Sequence, residues 1–407
     1  MRKIKLIDFL KKATLLLLCM VIFSIPISIA LTNITIGLAL IFWLINKILN
    51  KDLIFKKTPI NIFLILLILV SAISMVNSSN IVSSLGGMQK LAKYIFLFFI
   101  IVETVDDKDK LKRIVFAWIL GLSLVSIDGF FQYLTGKDFI RGYPLPVSLW
   151  KMYGNLPSPR IKASMHNPND FACYLISSIP LILPLFLYYT KRFKKMLLGL
   201  IFVISFFCMF HTQFRGAGLA FVVIVILLSI IKKDIRLAIL LLIFLLSLPI
   251  ILPKPLLYWL VQNINPYDFF IEDMGRRRHW QTALEMVKKH PFVGVGINTF
   301  SISYIKYKDI KDPFVGFYAH NSYLHLAGET GLIGLMIFIW MLIVITKNWI
   351  NFYRKQKDKN LKDISLGIFL GWLGFLIAGL LESSLQISNL AVLFWFITGV
   401  LVGISNL

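Results

Sequence analysis

The chain has 407 residues, of which 58% are hydrophobic, and its mean hydropathy of +0.79 excludes an ordinary soluble domain. A formal net charge of +23 is typical of nucleic-acid-binding proteins. Here, however, the lysines and arginines stand in short clusters between apolar runs, which is typical of cytoplasmic loops that face anionic lipid, so we expect a lipid bilayer and no nucleic acid as partner.

The apolar runs predict an all-α polytopic membrane protein with about twelve membrane-spanning helices. We place the spans at 13–30, 32–48, 60–76, 89–103, 113–134, 169–190, 195–211, 214–231, 236–252, 322–346, 364–381 and 388–405. The basic N-terminal segment resembles a signal peptide that ends in small residues at Ser28–Ala30. Its apolar run is long for a signal peptide, so we predict a retained first helix.

Basic residues concentrate on one side when the connections between spans are assigned alternately to the two sides of the membrane. The N-terminus and the short even-numbered connections carry most of the lysines and arginines, and most of the others lie in two long loops, 135–168 and 253–321. Because long loops are largely exempt from the positive-inside rule, we predict cytoplasmic termini and outward-facing long loops. The resulting organisation is a transmembrane bundle of about nine helices over 1–252, an outward loop with surface helices over 253–321 and C-terminal transmembrane helices over 322–407.

The cysteines Cys19, Cys173 and Cys208 fall in apolar stretches without metal or disulfide spacing, so we interpret them as small hydrophobic residues.

The entry into the sixth span, Arg160–Asp170, is the first polar segment of interest on the predicted outer side. Asn167 or Asn169 can cap the helix, and Pro168 suits its first turn. Capping accounts for most of this pattern, and a direct substrate role for His166 or Asn169 is the less favoured alternative.

Two groups of arginines are also predicted to face outward. Arg215 follows the tight turn between the seventh and eighth spans, against the positive-inside bias, and could either contact a phosphate or extend to the membrane interface. Arg276, Arg277 and Arg278 are consecutive and precede a segment, 280–287, whose apolar spacing predicts a surface helix. Guanidinium groups bind phosphate oxygens in bidentate fashion, so the run suits a diphosphate, whereas contact with lipid headgroups is the alternative. Arg276 is our first candidate.

His320 and Asn321 stand where the chain enters the tenth span, followed by Tyr323. A histidine titrates near neutral pH and therefore suits a general base that removes a proton from a sugar hydroxyl. In the same helix His325 and Glu329 are four residues apart and can pair. We expect a structural role for Glu329, with substrate contact as the alternative.

Several catalytic motifs are absent, and their absence narrows the chemistry. The sequence has no P-loop, no glycine-rich dinucleotide turn and no Cys/His zinc pattern, and its acidic cluster, Asp106–Asp109, is predicted to be cytoplasmic. We therefore predict an outward enzyme without metal or cofactor, whose substrate arrives already activated. A lipid-linked diphosphate sugar fits, because arginines would stabilise the charge that develops on its leaving group.

Three strings resemble the O-antigen ligase and O-antigen polymerase superfamily: R-x-x-x-W-x-x-A-L-x-M over Arg276–Met286, H-P-x-x-G-V-G-x-x-x-F over His290–Phe300, and H-N-x-Y-L-x-x-x-x-E-x-G over His320–Gly331. The stretch M-H-N-P-N-D-F-A from Met165 and the outer Arg215 are also similar to that family. The resemblance covers residues 160–334 in a consistent order.

The resemblance implies a wholly helical, GT-C-like membrane glycosyltransferase. Such proteins move a glycan from undecaprenyl diphosphate to an acceptor on the periplasmic face of the bacterial inner membrane, without metal. By position, Arg215 and Arg276 would hold the diphosphate, and His320 would activate the acceptor hydroxyl, with Arg277 and Arg278 as supporting candidates.

The acceptor separates two members of this superfamily. It is the lipid A–core saccharide in the ligases and a second lipid-linked repeat unit in the polymerases, and the single dominant loop before His320 favours the ligase. A transporter for an anionic solute is a further alternative. It is less favoured because the charges cluster at one surface and only Asp128, Glu329 and Glu382 are candidate carboxylates within the membrane.

Overall fold

The computed structural model describes residues 2–153, 156–188, 191–251, 274–310 and 316–405. These residues are mainly helical. The helices are α1 Arg2–Ser24, α2 Ile29–Asn50, α3 Asn61–Ser74, α4 Ile81–Thr104, α5 Lys108–Thr135, α6 Pro168–Tyr188, α7 Arg192–His211, α8 Arg215–Lys232, α9 Ile235–Ile251, α10 Met274–Lys289, α11 Phe300–Tyr307, α12 Ser322–Lys355, α13 Lys359–Ala378 and α14 Ser388–Ile404. A 3₁₀ turn, Met75–Asn77, extends α3.

A two-stranded antiparallel hairpin interrupts the helices inside the predicted loop 135–168. Its strands are β1 Val147–Tyr153 and β2 Leu156–Pro159, with Val147 opposite Pro159. The hairpin returns the chain toward the start of α6.

Every predicted span overlaps one of the helices, but the first, 13–30, continues past the end of α1 at Ser24 into the start of α2, and the spans 169–190 and 236–252 end outside the described residues. Within the described ranges, eight helices are long and apolar enough to cross a membrane, namely α2, α4, α5, α6, α7, α8, α12 and α13, while α3 with its 3₁₀ turn and α14 are shorter apolar helices. The prediction of a helical polytopic membrane protein is therefore confirmed. Helix α10 contains the predicted surface helix at 280–287.

Connections that the alternation assigns to one side of the membrane contact one another. At one end of the bundle the Ser164 hydroxyl donates to the Pro26 carbonyl at 2.9 Å, and at the other end Lys108 pairs with Asp358 at 2.6 Å. Hydrogen bonds join further connections at the first end, which comprises residues 25–28, 75–80, 136–153, 156–167, 212–214, 290–310, 316–321 and 379–387. The grouping agrees with the predicted alternation, and which end faces outward stays a prediction.

Helices α6 and α13 pack closely because small residues of α13 admit the α6 backbone. A β-carbon on Gly371 would collide with the carbonyl oxygen of Ser177, and one on Gly367 would lie 2.8 Å from the Cα of Leu181. Small residues allow such close approach between helices in membranes. The first turn of α6 and the segment that follows α13 consequently meet at the same end of the bundle.

The segment 291–296, which follows α10, binds to α12 at a break in that helix. Gly331 has φ 72° and ψ −178°, a backbone conformation open essentially to glycine alone. A β-carbon there would collide with the carbonyl of Phe292. The N–H of Val295 donates to the carbonyl of Gly328 at 2.9 Å. These contacts hold the arginine-bearing helix α10 against the start of α12.

Candidate functional site

His320 lies at the end of the loop that precedes α12, and its backbone φ is 51°. Its Nδ1 lies 3.0 Å from Oε1 of Glu382, in the loop between α13 and α14. The Glu382 side chain is 4% exposed and that of His320 is 38% exposed, so the pair joins a buried carboxylate to a ring that reaches the surface. When Nδ1 carries the proton and donates a hydrogen bond to Glu382, the basic lone pair lies on Nε2. This is the tautomer that a general base requires.

Two donors besides His320 converge on Glu382. Asn169 Nδ2 donates to Oε2 at 2.7 Å, and the backbone N–H of Ser383 donates to Oε1 at 3.0 Å. Burial alone would raise the pKa of this carboxyl, but the hydrogen bond and positive charge of His320 and the hydrogen bonds from Asn169 and Ser383 outweigh burial and lower the pKa to about 2. Glu382 is therefore ionised at neutral pH.

Sequence reasoning names Glu382 only as one of three carboxylates within the membrane. It lies 62 residues from His320, so no local motif connects the two residues. The signal that could have found it is its place at the end of a span, in a connection that the alternation assigns to the same side as His320.

The entry into α6 supplies the next contacts of the site. Arg160 Nη2 donates to Asn169 Oδ1 at 2.7 Å, so Asn169 bridges an arginine and Glu382. The helix cap is instead Asn167, whose Oδ1 accepts from the N–H of Asp170 at 2.9 Å. Of the two capping residues that the sequence allows, Asn167 takes that role, and Asn169 is part of the site. His166 is exposed.

Helical register separates the three consecutive arginines of α10. Arg276 is three residues before His279 and shares its helix face. The His279 ring lies 5.3 Å from the His320 ring. Arg277 is exposed, and Arg278 lines a separate groove between α10 and the end of α11. Among the three, Arg276 therefore lies on the helix face nearest His320.

Arg215 is the first residue of α8 and is partly buried. The turn before it is tight, with φ 55° at Gln213. The carbonyl of Thr212 in this turn accepts from Arg160 Nε at 2.8 Å. The segment that carries Arg160 therefore contacts both the Glu382 partner Asn169 and the turn that leads into Arg215.

The remaining predicted residues have structural contacts at the start of α12. His325 Nε2 lies 3.3 Å from Glu329 Oε1, as the spacing predicts, and Glu329 also accepts from the N–H of Phe300 at 3.0 Å. Asn321 caps α12 by accepting from the N–H groups of Tyr323 and Leu324. The Tyr323 hydroxyl donates to the carbonyl of Leu376 at 2.9 Å. These contacts support a structural role for the start of α12.

A cavity of about 240 Å³ opens beside the site, between α3, α4, α12 and the loop before α14. Its lining combines apolar side chains with Lys90, Tyr318 and Gln386. Burial, followed by the negative charges of Asp170 and Glu382, raises the pKa of Tyr318, so its hydroxyl stays protonated. The cavity is lined by different helices from those that carry the candidate arginines.

Within the described ranges, no group of three His, Cys, Asp or Glu side chains could hold a metal ion.

These features define a multi-pass helical membrane protein with a basic and histidine-containing site at one end of its bundle. Residues 200–339 match the protein-family model described as O-antigen ligase. No curated protein matches the chain. The family match confirms the resemblance to the O-antigen ligase superfamily seen in the sequence; members of that superfamily are membrane glycosyltransferases.

The matched range contains Arg215, Arg276 and His320 but not Asn169 or Glu382. The last two reach the site only through the packing of α6 and α13.

Proposed function

We propose that this protein transfers an O-antigen-type glycan from undecaprenyl diphosphate to the lipid A–core saccharide, at the periplasmic face of the bacterial inner membrane. The observation that carries the proposal is the His320–Glu382 pair, at 3.0 Å, at the end of the bundle that also holds the candidate arginines. Such a pair suits removal of a proton from a hydroxyl, and arginines suit a diphosphate leaving group.

The reaction follows from the geometry of this pair. Glu382 stays ionised and accepts a hydrogen bond from the Nδ1–H of His320, while Nε2 of the same ring takes the proton of the acceptor hydroxyl. The hydroxyl oxygen bonds to the anomeric carbon while the bond from that carbon to the diphosphate oxygen breaks. The electron pair of the broken bond leaves with undecaprenyl diphosphate, whose charge Arg215 and Arg276 stabilise. Attack from the face opposite the leaving group inverts the anomeric carbon.

The two substrates need separate approaches to His320. The candidate arginines lie on α8 and α10, and we assign the donor to that side. The cavity between α3, α4 and α12 lies beside the same loop and offers both apolar and polar lining to a lipid-anchored acceptor saccharide. A bilayer-embedded bundle with its site at one end suits substrates that are both anchored in lipid.

The test supplies the purified protein with a lipid-linked oligosaccharide, with and without lipid A–core, and resolves the products by mass spectrometry. Conjugate that forms only with lipid A–core supports the ligase. Longer lipid-linked chains without it would identify the polymerase, and the absence of both products would favour transport.

The variant His320→Ala tests the base. We expect it to abolish transfer while it remains monodisperse in detergent, because Ala cannot accept the hydroxyl proton. Near-normal turnover by this variant would show that His320 is not the general base.

A further inference from the structure

Arg160 is a residue to which neither the family match nor the proposed function assigns a role, since it lies outside residues 200–339. Its guanidinium donates through two different nitrogens. Nη2 donates to Asn169 Oδ1 at 2.7 Å, and Nε donates to the Thr212 carbonyl at 2.8 Å. One side chain thus contacts two separate parts of the site.

The first contact leads to His320 through three hydrogen bonds. Asn169 Nδ2 donates to Glu382 at 2.7 Å, and Glu382 lies 3.0 Å from His320 Nδ1. A guanidinium only donates, so the Asn169 amide must present its oxygen to Arg160 and its nitrogen to Glu382. Arg160 therefore determines the orientation of this amide. Because the amide binds Oε2 of Glu382, Oε1 remains for the contact with His320.

The second contact holds the turn before α8. The N–H of Ile161 donates to the His211 carbonyl at 3.1 Å, beside the bond from Arg160 to Thr212. On the other side of Arg160 along the chain, the Pro159 carbonyl accepts from Gln213 Nε2 at 3.3 Å. Three consecutive residues, 159–161, therefore bind three consecutive residues of the turn that ends two positions before Arg215.

We propose that Arg160 is a positioning residue that couples the two halves of the site, holding His320 through Asn169 and Glu382, and Arg215 through the turn at Thr212. The kinetic part of this proposal rests on the proposed transferase function. Positioning matters in such reactions because a displacement of about 1 Å can cost about 10²-fold in rate.

Two variants separate the two contacts of Arg160. Asn169→Ala removes only the hydrogen bonds that connect Arg160 to Glu382, so we expect about a tenfold to hundredfold lower kcat with an unchanged KM for the lipid-linked donor. Arg160→Ala also removes the hydrogen bond to the turn at Thr212, so we expect the same loss in kcat together with a severalfold higher donor KM. Lys162→Ala is the matched control, since Lys162 is a nearby cation whose ammonium lies 4.6 Å from the Tyr143 ring centroid. We expect no change in either constant for it.

A double variant tests whether Arg160 acts through Glu382. In a Glu382→Gln background, Arg160→Ala should lower kcat much less than it does in the wild type, because the connection from Arg160 through Asn169 to the Glu382 carboxylate is already lost. It should still raise the donor KM. Additive losses in kcat, or an unchanged donor KM for Arg160→Ala alone, would overturn the proposal.

Hydrogen–deuterium exchange supplies a readout that does not depend on the reaction. Arg160→Ala should speed amide exchange both in the turn at 211–214 and in the loop at 380–384, Asn169→Ala only in the loop, and Lys162→Ala in neither. Faster exchange confined to the neighbourhood of residue 160 would overturn the coupling. If the wild type forms no glycan conjugate, the proposed function fails, but the exchange pattern still decides whether Arg160 couples the two segments.

Discussion

Replacing Glu382 with glutamine is the sharpest test of how His320 is oriented. The carboxylate accepts from three donors, His320 Nδ1 and the Ser383 N–H at 3.0 Å and Asn169 Nδ2 at 2.7 Å. A glutamine amide has one oxygen and one NH₂ group, so it cannot accept at both positions. If its oxygen faces His320, its NH₂ meets the Asn169 amide nitrogen. That amide cannot flip without presenting its nitrogen to Arg160.

The opposite orientation is worse for catalysis. If the glutamine NH₂ faces His320, the ring must accept at Nδ1 and carry its proton on Nε2, where it cannot act as a base. A lost hydrogen bond to a charged group costs about 1.5–3 kcal/mol, which corresponds to roughly 10- to 150-fold in rate. Loss of the base contributes about 10²- to 10⁴-fold. We therefore expect Glu382→Gln to lower kcat by about 10²-fold or more.

The assay is steady-state conjugation of lipid-linked oligosaccharide to lipid A–core across a range of pH. The pKa of Glu382 is about 2, so the carboxylate stays ionised as the pH falls through the mildly acidic range, and it stabilises a protonated His320. Removal of the Glu382 charge should therefore move the acidic limb of the profile of kcat against pH to lower pH. The control is Glu285→Gln, which removes a partly exposed carboxylate that pairs with Lys288 on α10. Near-wild-type kcat for Glu382→Gln would refute the orienting role.

Three further predictions concern the arginines and the backbone. Arg215→Lys should lower transfer about tenfold or more, because a compact ammonium cannot make the bidentate contact; unchanged turnover would count against the diphosphate role. Arg276→Ala should impair donor binding strongly and the exposed Arg277→Ala only weakly, and equal donor KM values would contradict the helical register. Gly331→Ala should destabilise the protein by about 2 kcal/mol or more, seen as a lower Tm in detergent, because its φ is 72° and a β-carbon meets backbone. Gly37→Ala, where a β-carbon meets nothing within 4 Å, should leave the Tm unchanged.

Local sequence patterns were enough to predict the helices and one contact near the candidate site. Apolar runs mark the spans because a bilayer core requires a hydrophobic helix. The pairing of His325 with Glu329 follows from a spacing of four residues within one helix. Arg215 and His320 were singled out by their positions beside predicted spans, and the resemblance to the O-antigen ligase superfamily implied the same two residues.

Long-range packing decided which side chains meet at the candidate site, because side chains from different helices come together only where those helices pack. Asn169 and Glu382 are 213 residues apart, and they meet because glycines of α13, such as Gly371, admit the backbone of α6. No periodicity within either helix encodes that contact. The sequence by itself thus determined a membrane helical bundle with a basic, histidine-containing segment between two of its spans. Only the tertiary structure showed that a buried glutamate contacts His320, and that Arg160 contacts both the Glu382 partner Asn169 and the turn before Arg215.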